Sequence, residues 1–565
     1  MAETPDGTAR LTVPALKNKW SDGLLALVAI LAVATALRLH GLSFGLPAVN
    51  DPDELIFELG AIKMLAGGTL NPGWFGHPAT TTMYVLALID VLVFLASWLA
   101  GSVDGIHEFS AWVYRDPGVL MLPHRVAMVG FSVGTVWLTA QLARRVWNDR
   151  TAPAVPTIAS ITAAALLAVN PVHMIWSQVI RSDVMGCLFL LLCLLASLDI
   201  AERGRRADYV RAAAWLALAI ATKWPFALGV LAVVGAVVLR LRQGAQMRSM
   251  LGALALTGGL TLAFLVAISP FLVLAWPTVV ANLAGEAQQQ HLGATGGTPL
   301  ENLVWYARGA IYSGLGPAGV VLTGLGLWHG RRNHVVLALL LPVSLGFIAA
   351  MALQHIVWER WTLPLTPILS VLAGGGMAHL AKAIAPRLHG RNAHRAAWLA
   401  SVVMIAAPLG WLCWERGTER LDDTRQQATR WAVAHIPEGD TILIEHFGFD
   451  LLTRNWAFRF PLGDLGCVDA RQLLAGKVQY GLISSGRGSR SNIDYGTLDP
   501  GTRTTCKAQW AILTQADRYA AEAHRFPSET GAYRALIASG RQAAVFAPAS
   551  GISAGPIVRI IDLRR

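Results

Sequence analysis

The feature that most constrains the fold of this chain is a succession of long apolar runs, rich in Leu, Val and Ala and broken by short clusters of arginine. A run of about 20 such residues crosses a bilayer as a helix, whereas a membrane barrel reads as alternating segments of about ten residues. Only 14% of the 565 residues are charged and 54% are hydrophobic, with a mean hydropathy of +0.47. A water-soluble globule carries about a quarter charged residues, so that class is excluded. The chain reads as an α-helical polytopic membrane protein.

The net charge of +11 would also suit a nucleic-acid binder, but the placement of the basic residues argues for membrane topology and no nucleic-acid partner. Arg10, Lys17 and Lys19 precede a first run at 23–43 with no cleavable signal, so the amino terminus is expected in the cytoplasm. Further runs lie at 124–142, 152–169, 184–201, 210–239, 250–272, 309–328, 334–352, 361–381 and 396–415. With 210–239 going out and back, this makes about 11 transmembrane segments. Arg144, Arg145 and Arg150, then Arg203 to Arg211, Arg240 to Arg248, Arg331 and Arg332, and Lys382 to Arg395 then all fall inside. That pattern requires residues 44 to 123 to stay external, including an apolar helix after His77-Pro78 that contains Asp90.

Two segments stand out. From Asp53 to Ala66, Leu55, Ile56, Leu59, Ile62 and Leu65 recur at helical spacing with Glu54, Glu58 and Lys63 on other faces, which predicts an interfacial amphipathic helix ended by Gly67-Gly68. Residues 210–239, at about 1.5 Å rise per residue, are too few for two full crossings, so two half-helices are expected to meet at Thr222-Lys223-Trp224-Pro225. A broken backbone and a lysine at that depth require a wet cavity, here opening outward.

Composition changes near residue 417, dividing the chain into a transmembrane domain at 1–416 and an external soluble α/β domain at 417–565. In the latter, a helix at 423–434 and strands at 441–445, 480–484 and 557–561 are expected. Cys467 and Cys506 can bridge in an oxidising compartment, while Cys187, Cys193 and Cys413 lie in apolar spans and read as packing. There is no internal repeat and no low-complexity tract.

Polar residues gather at the outward helix ends. Asn50-Asp51-Pro52-Asp53-Glu54 follows the first span, and Phe75-Gly76-His77-Pro78 closes the same loop. Arg181 and Asp183, Lys223, Gln288-Gln289-Gln290-His291 and Trp358-Glu359-Arg360 come later. Carboxylates beside cations at a membrane boundary need mutual pairing or a polar ligand, and one shared site is the economical explanation. Asp53 and Glu54 suit the first turn of a helix as well as chemistry. A carboxylate near lipid is expected to bind protons more tightly, which would equip Asp53 as a general base. Arg181, Lys223 and Arg360 suit a phosphate, or simple pairing with Asp183 and Glu359. The bland reading of His77 is a turn histidine. The Asp51–Asp53 spacing also fits a divalent ion, but no dense His/Cys/Asp set supports a structural zinc, so no cofactor is expected.

Over residues 20 to 385 these motifs resemble the GT-C superfamily of membrane glycosyltransferases, in particular the protein O-mannosyltransferase and aminoarabinose-transferase group. Asp53-Glu54 matches its acidic pair in the first external loop and His77-Pro78 its H-P or K-P step. Asp183 matches an acid at the outer start of a later helix, and Thr222-Lys223-Trp224-Pro225 a T-K-x-P element. Arg360 to Pro367 matches an R-x-x-x-P-x-x-P run. Phe75 replaces the acid of the mannosyltransferases, and Gly76-His77 the Glu-Lys of the aminoarabinose enzymes.

The resemblance implies an inverting transfer of a sugar from a polyprenyl-phosphate carrier to a lipid, glycan or protein acceptor at the outer face of the plasma membrane. Asp53 and Glu54 would be catalytic, with Asp51, His77 and Asp183 at the donor and acceptor positions. Arg181, Lys223 and Arg360 would hold the phosphate. Two other classes stay open: a polar-lipid or sugar transporter, and a non-catalytic envelope protein whose α/β domain binds glycan.

Overall fold

The computed structural model describes residues 17–149, 152–387, 390–445, 449–451, 454–469, 471 and 493–564. Arg10, Arg150 and the strand expected at 480–484 lie outside these residues. The chain begins with α1 (Lys17–Leu39), α2 (Pro52–Gly67), α3 (Thr80–Leu99), α4 (Ile106–Arg115) and α5 (Gly118–Val146). α6 (Val155–Ala168) and α7 (Pro171–Ser177) meet at a 59° bend, where Asn170 caps α7 by accepting from the His173 amide. α8 (Ser182–Glu202), α9 (Arg206–Thr222), α10 (Val230–Arg242) and α11 (Met247–Ile268) follow. After the short α12 (Phe271–Leu274) and α13 (Trp276–Glu286) come α14 (Pro299–Tyr306), α15 (Tyr312–Gly330), α16 (Leu341–Ala352), α17 (Leu365–Ile384) and α18 (Arg391–Leu421).

Among the described residues eight helices are long and apolar enough to cross a membrane, nine if α6 and α7 count as one bent span; Gly23–Leu39 and Val336–Ala352 are shorter apolar helices. The protein is thus an integral, multi-pass membrane protein. α8 is its axis, buried along most of its length among α5, α9 and α10. On the other side α17 presses against α6 and α15 through Gly374 and Gly376. A Cβ on Gly374 would meet the Ala159 carbonyl at 2.3 Å and one on Gly376 the Leu322 carbonyl at 2.1 Å. Small residues are what permit helix backbones to approach so closely where lipid, not water, surrounds them.

The arginine clusters collect at one end of the bundle. Arg145 pairs with Asp199 and Glu202, Arg203 and Arg211 with Asp199 and Asp208, and Lys382 with Asp149. At this end Gly204 also lies against Arg240. That contact corrects the expectation for 210–239. The segment is longer, from Arg206 to Arg242, and α9 alone spans 17 residues, or about 25 Å, so the pair forms a full hairpin rather than two half-helices. Its tip is Lys223, in an extended conformation between α9 and a 3-10 turn at Trp224–Gly229.

α3 is itself long and apolar enough to cross. Both of its ends nevertheless abut the end of the bundle opposite the arginines. Thr81 bonds Thr222 near the hairpin tip at 2.6 Å, and Val93 and Phe94 pack near Leu120 in the first turn of α5. α3 therefore lies across that end.

α2 is amphipathic in an unexpected sense. Asp51 caps it, accepting from the Asp53 amide, Pro52 opens it, and Gly68 ends it at φ 56°. Yet Leu59, Ile62 and Leu65 point outward, while Glu54, Phe57, Glu58, Ala61 and Met64 are buried. The acids face protein and the apolar stripe faces the surroundings. That is the arrangement of a helix lying on lipid with its polar side against the bundle.

α18 continues unbroken to Leu421, so the change in composition near 417 falls inside a helix. Beyond it, α19 (Thr424–His435) packs on a six-stranded sheet of order β3-β2-β1-β4-β6-β5. The strands are β1 (Thr441–Ile444), β2 (Ala457–Pro461), β3 (Cys467–Asp469), β4 (Trp510–Leu513), β5 (Arg541–Phe546) and β6 (Val558–Asp562). β1 is parallel to β2 and β4, and the outer pairings are antiparallel. α20 (Ala516–Ala521) and α21 (Pro527–Ala538) complete the unit, and Cys467 is bonded to Cys506. The unit sits on the end of the bundle away from the arginines: Arg425 donates to the Asn50 carbonyl at 2.8 Å, Arg518 to that of Leu292 at 3.1 Å.

Candidate active site

At that end the first turn of α2 meets the start of α8. Arg181, just before α8, donates from Nη2 to Asp53 Oδ2 at 2.5 Å and to Asp51 Oδ1 at 3.1 Å. Arg181 is nearly inaccessible, whereas the Asp53 side chain keeps 43% of its surface open. Two residues on, Asp183 accepts from Lys223 Nζ at 2.5 Å, and its other oxygen has no hydrogen-bond partner among the described residues.

Lys223 is held by a backbone stitch between distant segments. Trp224 N–H donates to the His77 carbonyl at 2.8 Å, and Ala79 N–H to that of Thr222 at 3.2 Å, so 77–79 and 222–224 run as a short antiparallel bridge. His77 thereby comes beside Lys223, its ring against Trp74 and Phe57 and its Nδ1 buried without a hydrogen-bond partner among the described residues.

Arg360 enters from the loop before α17. It is 7% exposed, and among the described residues it makes neither an ion pair nor a side-chain hydrogen bond. Aromatic faces lie against it, Trp358 at 4.3 Å and Trp176 at 5.5 Å, and Asp183, Asp53 and Asp51 act on it from beyond ion-pair distance; Trp176 also lies 5.3 Å from Arg181. His291 stacks edge-on against Trp358 at 4.9 Å.

The charges act on one another. Burial by itself would raise the Asp53 pKa, but the positive charges of Arg181 and Arg360 outweigh it and hold the carboxyl well below its usual range. This reverses the raised proton affinity expected from the sequence, where Arg181 could not be placed against Asp53. Burial, then the charge of Lys223, pushes the His77 imidazole down to about 3, so it is neutral at physiological pH.

Asp51, Asp53, His77, Arg181, Asp183, Lys223 and Arg360 thus converge as the motifs suggested. Glu54, expected to be catalytic, is a correction. It is fully buried, receives Arg125 through both carboxylate oxygens at 2.9 and 2.6 Å, and accepts the Ile180 amide at 3.0 Å, leaving nothing open to a substrate. Sequence reasoning missed Arg125 and Trp176. Arg125 hides seven residues into α5, and Trp176 has no signal beyond being an aromatic residue near a span end.

No protein-family model matches the sequence, and no curated protein matches it. Solved structures do. ArnT from Cupriavidus metallidurans in the apo state superposes with a TM-score of 0.51 at 15% identity, covering 97% of this chain and 98% of that one. The same protein bound to undecaprenyl phosphate gives 0.52 at 14% identity with the same coverage. An oligosaccharyltransferase from Archaeoglobus fulgidus gives 0.46 at 12% identity, covering 95% of this chain and 76% of that one. At these identities the likeness is one of fold. With 97% of this chain covered, it extends over the helical bundle and the terminal sheet domain together.

Proposed function

We propose that the protein is a membrane glycosyltransferase that moves a sugar from a polyprenyl-phosphate carrier to an acceptor at the extracytoplasmic face. The observation that carries this reading is Arg360, a buried guanidinium that makes no ion pair and no side-chain hydrogen bond among the described residues, close to Arg181 and Lys223. A buried guanidinium whose N–H groups lack acceptors is costly, and phosphate oxygens accept charge-assisted hydrogen bonds from such a set. The ArnT structure of the same fold with undecaprenyl phosphate bound supports the lipid carrier. The apolar outer stripe of α2 supports a chain of lipid arriving from the side.

In this reading the phosphate leaves against Arg360, Arg181 and Lys223 while an acceptor hydroxyl attacks in line and inverts the anomeric carbon. Asp53 takes the hydroxyl proton. Its depressed proton affinity works against that role only while the cations are unmatched. A bound phosphate offsets Arg181 and Arg360 and lets the carboxyl rise toward its ordinary range. Asp183 holds Lys223, Asp51 shares Arg181, and neutral His77 lines the donor side. The acceptor approaches from the sheet domain, where a cavity of about 440 Å³ is lined by Arg425, Thr514, Gln515 and Arg518.

The test is a panel of labelled polyprenyl-phosphate hexoses and pentoses offered to purified protein with envelope lipids, glycans and peptides. Release of polyprenyl phosphate coupled to labelled product is expected. Movement of labelled lipid across proteoliposomes without bond cleavage would favour the transporter instead.

A further inference from the structure

One turn beyond Glu54 on the buried side of α2, three ionisable side chains from three helices close on a point. Glu58 from α2, Asp90 from α3 and His124 from α5 are 4%, 4% and 0% exposed. Glu58 Oε2 lies 2.7 Å from His124 Nδ1, and Asp90 Oδ1 lies 3.0 Å from His124 Nε2. Both contacts miss ordinary hydrogen-bond geometry, and the second oxygens, Glu58 Oε1 and Asp90 Oδ2, have no hydrogen-bond partner among the described residues. One donor atom from each residue falls within 4.8 Å of the others. The neighbouring cation, Arg125, is committed to Glu54 and to the carbonyls of Leu42 and Phe44. Phe57 and Ala61 of α2, Leu86 of α3 and Met121 and Met128 of α5, neighbours of these three residues along their helices, form one buried apolar cluster.

The charge balance is the argument. With both acids ionised the cluster carries a net negative charge whether His124 is neutral or protonated. A buried charge without a counter-charge is expensive. A divalent cation against two carboxylates and a neutral imidazole sums to zero, and it gives all three side chains a common partner. One nitrogen and two carboxylate oxygens form a donor set that suits a borderline transition metal such as zinc, manganese or ferrous iron.

We propose that Glu58, Asp90 and His124 bind one divalent transition-metal ion, separate from the sugar-transfer site. The ion ties α2 to α3 and α5, and so fixes the helix whose first turn carries Asp51 and Asp53. No spacing in the sequence announces the set, because each ligand comes from a different helix.

The experiment uses full-length protein without a histidine tag, purified in detergent and measured by elemental mass spectrometry. Zn²⁺ or Mn²⁺ is then added to a chelator-treated sample, and Co²⁺ to a parallel one for its visible d–d bands. About one equivalent of metal per chain and tetrahedral or five-coordinate cobalt bands are expected, with metal content falling at least about tenfold in Glu58→Gln and His124→Ala. Asp90→Asn keeps the side-chain shape and carries the test if His124→Ala fails to fold, folding being judged by monodispersity and helical circular dichroism. Wild-type protein that takes up no stoichiometric Zn²⁺, Mn²⁺ or Co²⁺ would overturn the proposal and leave a shared proton as the occupant. Equal metal content in folded variants would overturn it as well.

Discussion

Glu54 receives both arms of the Arg125 guanidinium, at 2.9 and 2.6 Å, and so points away from its chain neighbour Asp53, which meets Arg181 instead. Successive helical residues are rotated by about 100°, so two adjacent acids at a helix start cannot share a direction. One is committed to a buried ion pair and the other keeps part of its surface open.

Glu54→Gln therefore removes one partner of a buried pair and is expected to destabilise the protein by about 3–5 kcal/mol. Unfolding in detergent, followed by heat or denaturant, measures this. A loss within error of zero would mean that Arg125 finds another anion.

Asp53→Asn should behave in the opposite way. Arg181 keeps Asp51 as a second partner, so melting should fall less than in Glu54→Gln, while turnover falls by about 10²–10⁴, the range for losing a general base. Wild-type turnover in this variant would remove Asp53 from the chemistry.

Arg360→Ala is expected to weaken the donor about tenfold to a hundredfold, the equivalent of one lost charge-assisted contact, with the acceptor KM unchanged. Arg360→Lys should recover only part, since a point charge cannot reproduce the planar fork. The split between donor and acceptor KM is the readout.

His77 sets a pH dependence whose sign is fixed. Its folded pKa is near 3 against 6.5 for an ordinary imidazole, so the unfolded chain alone takes up a proton between those values. Stability contributed by the neutral ring is complete above that window and drains away as pH falls through it. His77→Gln should lose less stability than the parent between about pH 7 and pH 5 in matched melts.

Cys506→Ser opens a bridge that spans 39 residues of sequence in the sheet domain. A loss of about 3–4 kcal/mol is expected for that domain, with transfer activity at low temperature retained. Non-reducing and reducing gels on protein from the native membrane check that the bridge exists there.

The helical class, the interfacial helix and the convergence of Asp53, Arg181, Asp183, Lys223 and Arg360 were legible because each sits at an end of an apolar run, where a charge has few reasons to be. Position relative to the membrane stood in for tertiary contact. The reading failed where contact itself decided the matter. Nothing local distinguishes Glu54 from Asp53 until Arg125 arrives from 71 residues away, and nothing marks Glu58 as buried when its helix exposes Leu59 and Ile62 instead. The direction of the Asp53 pKa was misread for the same reason. The hairpin at 206–242 was judged too short because charged residues at its ends were excluded from its length.

The bridge between 77–79 and 222–224 has a bearing on how this scaffold can change. The His77-Pro78 step and the Thr222-Lys223-Trp224-Pro225 tip exchange main-chain hydrogen bonds, so each is part of the template on which the other is shaped. A graft that imports either segment alone from a relative would bring new side chains onto a mismatched frame. Donor preference should therefore transfer between scaffolds only when both segments travel together.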